Sequence, residues 1–205
     1  MKNLFITFEG IEGCGKSTQA NLLKDYLNTQ NLQVVLTREP GGTLISEQIR
    51  SIILNPDNIE MTPETELLLY LASRNQHTVQ KIIPALNDNH IVISDRYYDS
   101  TFAYQGVARK IDYEKIVYMN NFATCNLMPD ITFLIDIPVT ESINRIKYKK
   151  PDRLENEPEE FHKNVREAFL KLASNEKRFI ILNGMKTVDE LHQEIKLLID
   201  PYLIN

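Results

Sequence analysis

Residues 10–17, GIEGCGKS, bring Gly10, Gly13, Gly15, Lys16 and Ser17 into one short segment. The spacing G-x-x-x-x-G-K-[ST] belongs to a loop whose glycines let successive backbone N–H groups turn inward onto phosphate oxygens. The positive end of a following helix reinforces that site. In such a loop Lys16 reaches the β- and γ-phosphates and the Ser17 hydroxyl is a ligand for Mg²⁺, while Ile11, Glu12, Cys14 and Thr18 complete the cradle. The chemistry specified is binding of a nucleoside triphosphate. A second group, ISDRYYDSTFAYQG (93–106), supplies Asp95 at the end of an apolar run, the usual place for a second magnesium-side carboxylate. Arg96 follows it, and a guanidinium there clamps a second phosphate bidentately, which an ATPase does not need. The chain contains neither N-K-x-D nor D-x-x-G, so a GTP-dependent switch is disfavoured; Ile11 and Glu12 stand where a partition-type ATPase would carry an extra lysine. On the loop alone a phosphotransferase to a small acceptor and an ATPase that drives motion both remain open, and Arg96 favours the former.

These groups must be held by a scaffold, and the hydrophobic pattern predicts one. Short apolar runs recur at 4–8, 32–37, 90–94, 130–137 and 178–182. Between them the spacing predicts helices over 16–28, 43–54, 63–87, 111–126, 139–150, 157–175 and 188–203. Strands that are apolar on both faces and alternate with helices imply an α/β fold: a parallel sheet covered on both sides, three layers in all. The glycine loop then leaves the first strand and opens the first helix. Thr62-Pro63 is a helix start, and Pro84 is expected to kink or end the same helix.

At 205 residues and 42% hydrophobic composition, one domain spanning 1–205 is expected. A net charge of -5 disfavours unspecific attraction to nucleic acid or to an anionic membrane, and no apolar run approaches the ~20 residues of a membrane span. Two cysteines, Cys14 and Cys125, are too few for a disulfide framework, and a reducing cytoplasm fits them best. His77, His90, His162 and His192 form no pair at metal-ligand spacing, so solvated or capping roles are expected. Cys14 places a thiol at a helix N-terminus, where an exposed sulfur would be reactive.

FEGIEGCGKSTQ (8–19), TREPGGT (37–43), LYLASR (69–74), SDRYYDSTFAYQG (94–106), PDITFLIDI (129–137) and DRLE (152–155) together resemble the thymidylate kinases, in family order and over residues 4 to about 160. Beyond residue 160 the match is mainly one of layout. The resemblance implies a P-loop NTPase of the nucleoside monophosphate kinase type, with a five-stranded parallel sheet, that transfers the γ-phosphoryl of MgATP to dTMP. It implies that Glu12 acts near the transferring phosphoryl and that Arg96 binds the dTMP phosphate, with Arg38, Glu39 and, less directly, Arg50 in the same pocket. It further implies that Tyr70 stacks on thymine, that Arg74, four residues on, hydrogen-bonds a base carbonyl, and that Thr101 and Gln105 address the remaining polar edge. Tyr104 would crowd the sugar 2′ position and favour deoxyribose.

The loop carries no arginine, so positive charge for the transferring phosphoryl is expected from NRIKYKKPDRLE (144–155). This resembles the bacterial subtype with a basic residue in a mobile lid at about 144–157. Arg153 is the first choice because it lies in the DRLE match, the lysines 147, 149 and 150 being equally well explained as a helix C-terminus. Arg145 resembles the position that stacks on adenine. The family implies a homodimer, with ATP and dTMP as its small-molecule partners. Two rivals stay open: another nucleoside monophosphate or deoxynucleoside kinase, and a nucleotide-binding regulator that has lost transfer.

Overall fold

A computed structural model describes residues 3–203. The five apolar runs form β1 (Phe5–Glu9), β2 (Val34–Arg38), β3 (Ile91–Asp95), β4 (Ile131–Asp136) and β5 (Phe179–Asn183). They make one parallel sheet in the order β2-β3-β1-β4-β5. Every residue of β1 is buried, and hydrophobic clusters lie on both faces of the sheet. One is built around Phe8, Leu23 and Phe133, the other around Phe5, Val92 and Tyr97. The three layers therefore follow from strands with no polar face.

The register places the chemistry. Phe8 is paired with Asp95, and Arg38 is opposite the same Asp95, so the loops leaving β1, β2 and β3 converge at one end of the sheet. Carboxyl ends of strands are where ligands bind in open α/β sheets, because the helices there present their N-termini. Helix α1 (Lys16–Thr29) begins immediately after the glycine loop, with Gly15 as its N-cap at φ 102°.

Two local departures from the predicted elements shape the site. The single helix expected over 63–87 is α3 (Pro63–His77), a wider π-helical turn (Thr78–Ile82) and α4 (Ile83–Asn87). Thr62 caps α3 by accepting from the Thr65 N–H, and the Ile83 N–H reaches back to the Thr78 carbonyl just before Pro84, which has no N–H to give. The second departure is helical structure over 98–108, absent from the predicted elements. A short α5 (Tyr98–Thr101) runs into a π-helical segment, Phe102–Ala108, closed by the Arg109 N–H on the Tyr104 carbonyl at 2.9 Å. Its Thr, Tyr and Phe residues have little helical signature of their own; buried packing of Tyr98 and Phe102 stabilises it.

The remaining helices are α2 (Leu44–Leu54), α6 (Tyr113–Ala123), α7 (Val139–Ile146), α8 (Glu159–Asn175) and α9 (Val188–Leu203). Helix α7 stops four residues short of the predicted Lys150, and the basic segment after it crosses the open end of the sheet in turns. No helix among the described residues is long and apolar enough to cross a membrane.

Candidate active site

A cleft of about 300 Å³ opens at the carboxyl ends of β1, β2 and β3. Its floor is the glycine loop. A side chain at Gly10, where φ is 138°, would place Cβ 2.5 Å from the Ile135 carbonyl oxygen, so only glycine lets the loop lie against β4. Lys16 is folded over that loop: Nζ donates to the carbonyls of Gly10 at 3.1 Å and Ile11 at 2.9 Å. Cys14 Sγ lies 3.5 Å from the same ammonium and is buried, which corrects the expectation of an exposed, reactive thiol. Ile11 is likewise a core residue, and Gly13 packs against α7.

The Ser17 hydroxyl donates a short hydrogen bond to the Asp95 carboxylate, so the two predicted magnesium ligands are adjacent. A hydroxyl and a carboxylate are hard oxygen donors, and Mg²⁺ typically takes one or two such protein groups and fills its other positions with water and phosphate oxygens. The pair fits that ion. Among the described residues there is no cluster of three or more His, Cys, Asp or Glu side chains that would hold a metal without a phosphate ligand.

On the acceptor side, Arg96 adopts φ 72°, which turns its side chain back across the cleft. Its Nη2 donates to Glu12 Oε1 at 2.9 Å and to the Tyr104 hydroxyl at 3.0 Å, and its Nη1 to Ser100 Oγ at 3.2 Å. The Tyr104 hydroxyl in turn donates to Glu12 at 2.6 Å. Burial pushes the Glu12 carboxyl up, but the charges of Arg96 and Lys16 and the Tyr104 hydrogen bond outweigh it and hold the carboxyl below its usual range. Glu9, at the end of β1, shows the opposite balance. Burial raises it to about 7 although Arg96 lies 3.9 Å away and Tyr97 and Ser100 donate to it. Arg96 is thus held in a small acidic nest by Glu12, Glu9, Tyr104 and Ser100.

The far end of the cleft is walled by Tyr70, Thr101 and Gln105. Arg74 lies behind that wall. Its guanidinium donates to Glu39 at 2.7 Å, Asn120 at 2.7 Å, the Tyr97 carbonyl at 2.7 Å and the Thr101 hydroxyl, leaving one Nη2 hydrogen without a partner among the described residues. The expectation of a base-reading arginine standing in the cleft is corrected to this extent: Arg74 is a buried organiser with one donor to spare. Glu39 is correspondingly a partner of Arg74 and of His77, at 3.0 Å, so His77 is a buried member of the network and not a solvated histidine. Arg50 donates to the Pro40 carbonyl at 2.7 Å and Arg38 pairs with Glu47 at 3.1 Å; both line the cleft mouth.

Arg153 is the clearest correction. It is buried away from the cleft, with Nη2 on Glu66 Oε2 at 2.7 Å and Nε on the Ile53 carbonyl at 2.8 Å. The DRLE match marks an anchor at the root of the basic segment. Lys149 is the basic residue of that segment lining the cleft, beside Asp152 and Glu155. Arg145 bridges the carbonyls of Gly13 at 3.3 Å and Gly184 at 3.0 Å, at the outer edge of the glycine loop. His162 is buried against Glu12, with Nδ1 3.8 Å from Oε2, and so is not the solvated residue expected.

Glu9, Ser100 and Glu66 contribute to the site although the sequence reading did not single them out. Glu66 carried a usable signal, since it stands four residues before Tyr70 and eight before Arg74 and so shares their helix face.

The family model described as thymidylate kinase matches residues 8–195. The chain is 52% identical over 192 residues to the thymidylate kinase of a Sulfurihydrogenibium species, covering 93% of this chain and 94% of that one. It is 46% identical over 204 residues to the thymidylate kinase of Caldanaerobacter subterraneus subsp. tengcongensis, covering 99% and 98%. The crystal structure of thymidylate kinase from Ehrlichia chaffeensis superposes with a TM-score of 0.80 at 35% identity, over 98% of this chain and 100% of that one.

Proposed function

This chain belongs to the thymidylate kinase family and phosphorylates dTMP in nucleotide biosynthesis, and we propose that MgATP is the donor and that the residues of the cleft divide the work as follows. Lys16 and the loop amides hold the donor phosphates, Arg96 holds the phosphate of dTMP, and Tyr70, Gln105 and the spare hydrogen of Arg74 meet the thymine. Arg145 lies flat against the adenine. Tyr104, fixed under Arg96, closes the space beside C2′. The observation that supports this division is that two cationic centres, Lys16 and Arg96, face one cleft from separate loops, with an aromatic and amide wall beyond the second. Two phosphates can then be brought nose to nose, which is the condition for in-line transfer.

Ser17 and Asp95 would hold Mg²⁺, which when bound neutralises charge on the donor phosphates. The attacking group of dTMP is a phosphate oxygen that is anionic at neutral pH, so the protein supplies orientation and positive charge and no general base. Glu12 orients Arg96 and is itself held ionised. The basic segment closes over the phosphates as a lid, with Lys149 as its cation in place of the anchored Arg153, and excludes water. A single domain with this one mobile segment and a cytoplasmic location belong to the same reading, the latter supported by the two free thiols. Cell fractionation that found the protein outside the cytoplasm would remove that part.

Coupled ADP release with MgATP tests the whole. Turnover should require dTMP, fall by roughly 10- to 200-fold in kcat/KM with dUMP, which lacks only the methyl group, and vanish with thymidine. Preference for dCMP, AMP or GMP would keep the kinase fold and overturn the pocket assignment, and release without any acceptor would overturn transfer itself.

Helix α6 exposes Tyr118 and Phe122, one turn apart, and α3 exposes Leu68 on a helix that packs against it. Such a stripe supports a homodimer formed through α3 and α6. Replacing Phe122 by Glu should convert a dimer to a monomer in analytical ultracentrifugation with dTMP turnover measurable; a wild-type protein that sediments as a monomer at micromolar concentration overturns this.

A further inference from the structure

Glu66 is a carboxylate buried on α3, in a position no part of phosphoryl transfer requires. Its Oε1 accepts from Gln105 Nε2 at 2.8 Å and from Arg109 Nε at 3.2 Å. Its Oε2 accepts from Arg109 Nη2 at 3.0 Å and from Arg153 Nη2 at 2.7 Å. Arg109 also pairs with Glu157 at 2.6 Å, which leaves the cluster of two acids and two arginines neutral.

The contact with Gln105 carries a consequence for recognition. A glutamine amide presents either a donor or an acceptor to a ligand, and in an apolar wall it can turn over to suit whichever arrives. An ionised carboxylate only accepts hydrogen bonds. Glu66 therefore binds the NH₂ end of Gln105, because the opposite orientation would set the amide oxygen against a carboxylate oxygen. Gln105 lines the cleft and its oxygen has no partner among the described residues, so the oriented amide presents that acceptor to a ligand. A fixed acceptor complements a ring nitrogen that carries a hydrogen, as in thymine and uracil, and opposes the bare ring nitrogen of cytosine.

We infer that Glu66 is a positioning residue for base selectivity: by fixing the amide of Gln105 it commits the cleft to bases that donate from the ring nitrogen. The inference rests on the proposed reading of the pocket and goes beyond it by naming what prevents Gln105 from accepting either class of base. Breaking the commitment leaves the phosphate machinery intact, so it acts on acceptor choice and not on transfer.

The test compares kcat/KM for dTMP with that for dCMP. In Glu66→Gln the new amide can donate to Gln105 and let it turn, so the dTMP-to-dCMP ratio should fall by roughly 10- to 100-fold, the weight of one mismatched buried hydrogen bond. Arg109→Gln removes a neighbour of Glu66 without touching the amide and should lower the melting temperature while leaving the ratio unchanged. In Gln105→Leu, adding Glu66→Gln should lower the ratio no further, because the two act through one contact. A folded Glu66→Gln protein with the wild-type ratio, or additive effects in the double variant, overturns the inference. If Glu66→Gln does not fold, the side-chain amide protons of Gln105 in ¹⁵N-glutamine-labelled wild-type protein decide. They should stay bonded to Glu66, with unchanged shift and slow solvent exchange, when dTMP is added; a large shift on binding overturns it. A wild-type protein without preference for dTMP over dCMP would instead overturn the pocket reading, before Glu66 is tested at all.

Discussion

Replacing Lys16 by Met should lower kcat by about 10²–10³-fold, while ATP affinity, measured by calorimetry, falls much less. The argument rests on what the ammonium does in each state. In the structure it is satisfied by the carbonyls of Gly10 and Ile11, at 3.1 and 2.9 Å. A bound triphosphate offers oxygens carrying more charge than those carbonyls, and the charge at the bridging and transferring oxygens changes most as transfer proceeds, so an ammonium there favours the transition state over the ground state. Met keeps the length and apolar volume of the chain and removes only the charge. The variant must be compared at equal folded fraction, since two loop carbonyls lose their donor; a melting curve supplies that control. Turnover within a factor of a few of wild type would sink the assignment of Lys16 to the transferring phosphoryl.

Much of this site was legible in the sequence because its signals are local. The loop from Gly10 to Ser17 has a fixed spacing, and the apolar runs on either side predicted the strand and helix that position it. Five strands were expected and five are present among the described residues, because strands buried on both faces are apolar throughout and stand out against amphipathic helices. The helical segment 98–108 was illegible for the converse reason: it is held by tertiary burial of Tyr98, Phe102 and Tyr104 and by a five-residue hydrogen-bond span that no helical period describes. Arg153 shows a different limit. A motif records that an arginine is needed at that place, and the same charge serves a phosphate or a buried Glu66 equally well. Only the partner decides, and partners distant by 87 positions do not appear in a local reading. Arg74 failed in the same way and by less, since its place on the Tyr70 face was correct while its four internal acceptors, Glu39, Thr101, Asn120 and the Tyr97 carbonyl, come from other segments of the chain.

Arg96 is the residue at which those separate segments meet, and its replacement by Leu should have the largest effect of any single change: a fall of roughly 10³–10⁴-fold in kcat/KM for dTMP, with ATP affinity nearly unaffected. The loss combines the clamp on the acceptor phosphate with the positive charge that keeps Glu12 in place. Lysine should restore little, because one ammonium cannot span Glu12, Tyr104 and Ser100 in the way the planar fork does. The variant should also change how stability depends on pH. Glu9 is already raised from 4.5 to about 7 by burial, with Arg96 opposing the rise. Without the guanidinium the carboxyl rises further, so the folded protein holds a proton that the unfolded chain releases near 4.5. Stability from such a group is fullest below the unfolded value and is lost as pH rises toward the folded one. Relative to wild type, Arg96→Leu should therefore lose stability in urea denaturation only as pH rises above about 7, where wild-type Glu9 has given up its proton and the variant's has not, the two profiles running parallel below about pH 6; Glu9→Gln in the same background should abolish that difference. A pH profile parallel to wild type throughout would show that Glu9 does not depend on Arg96. The kinetic loss would then have to come from the acceptor phosphate and Glu12 alone.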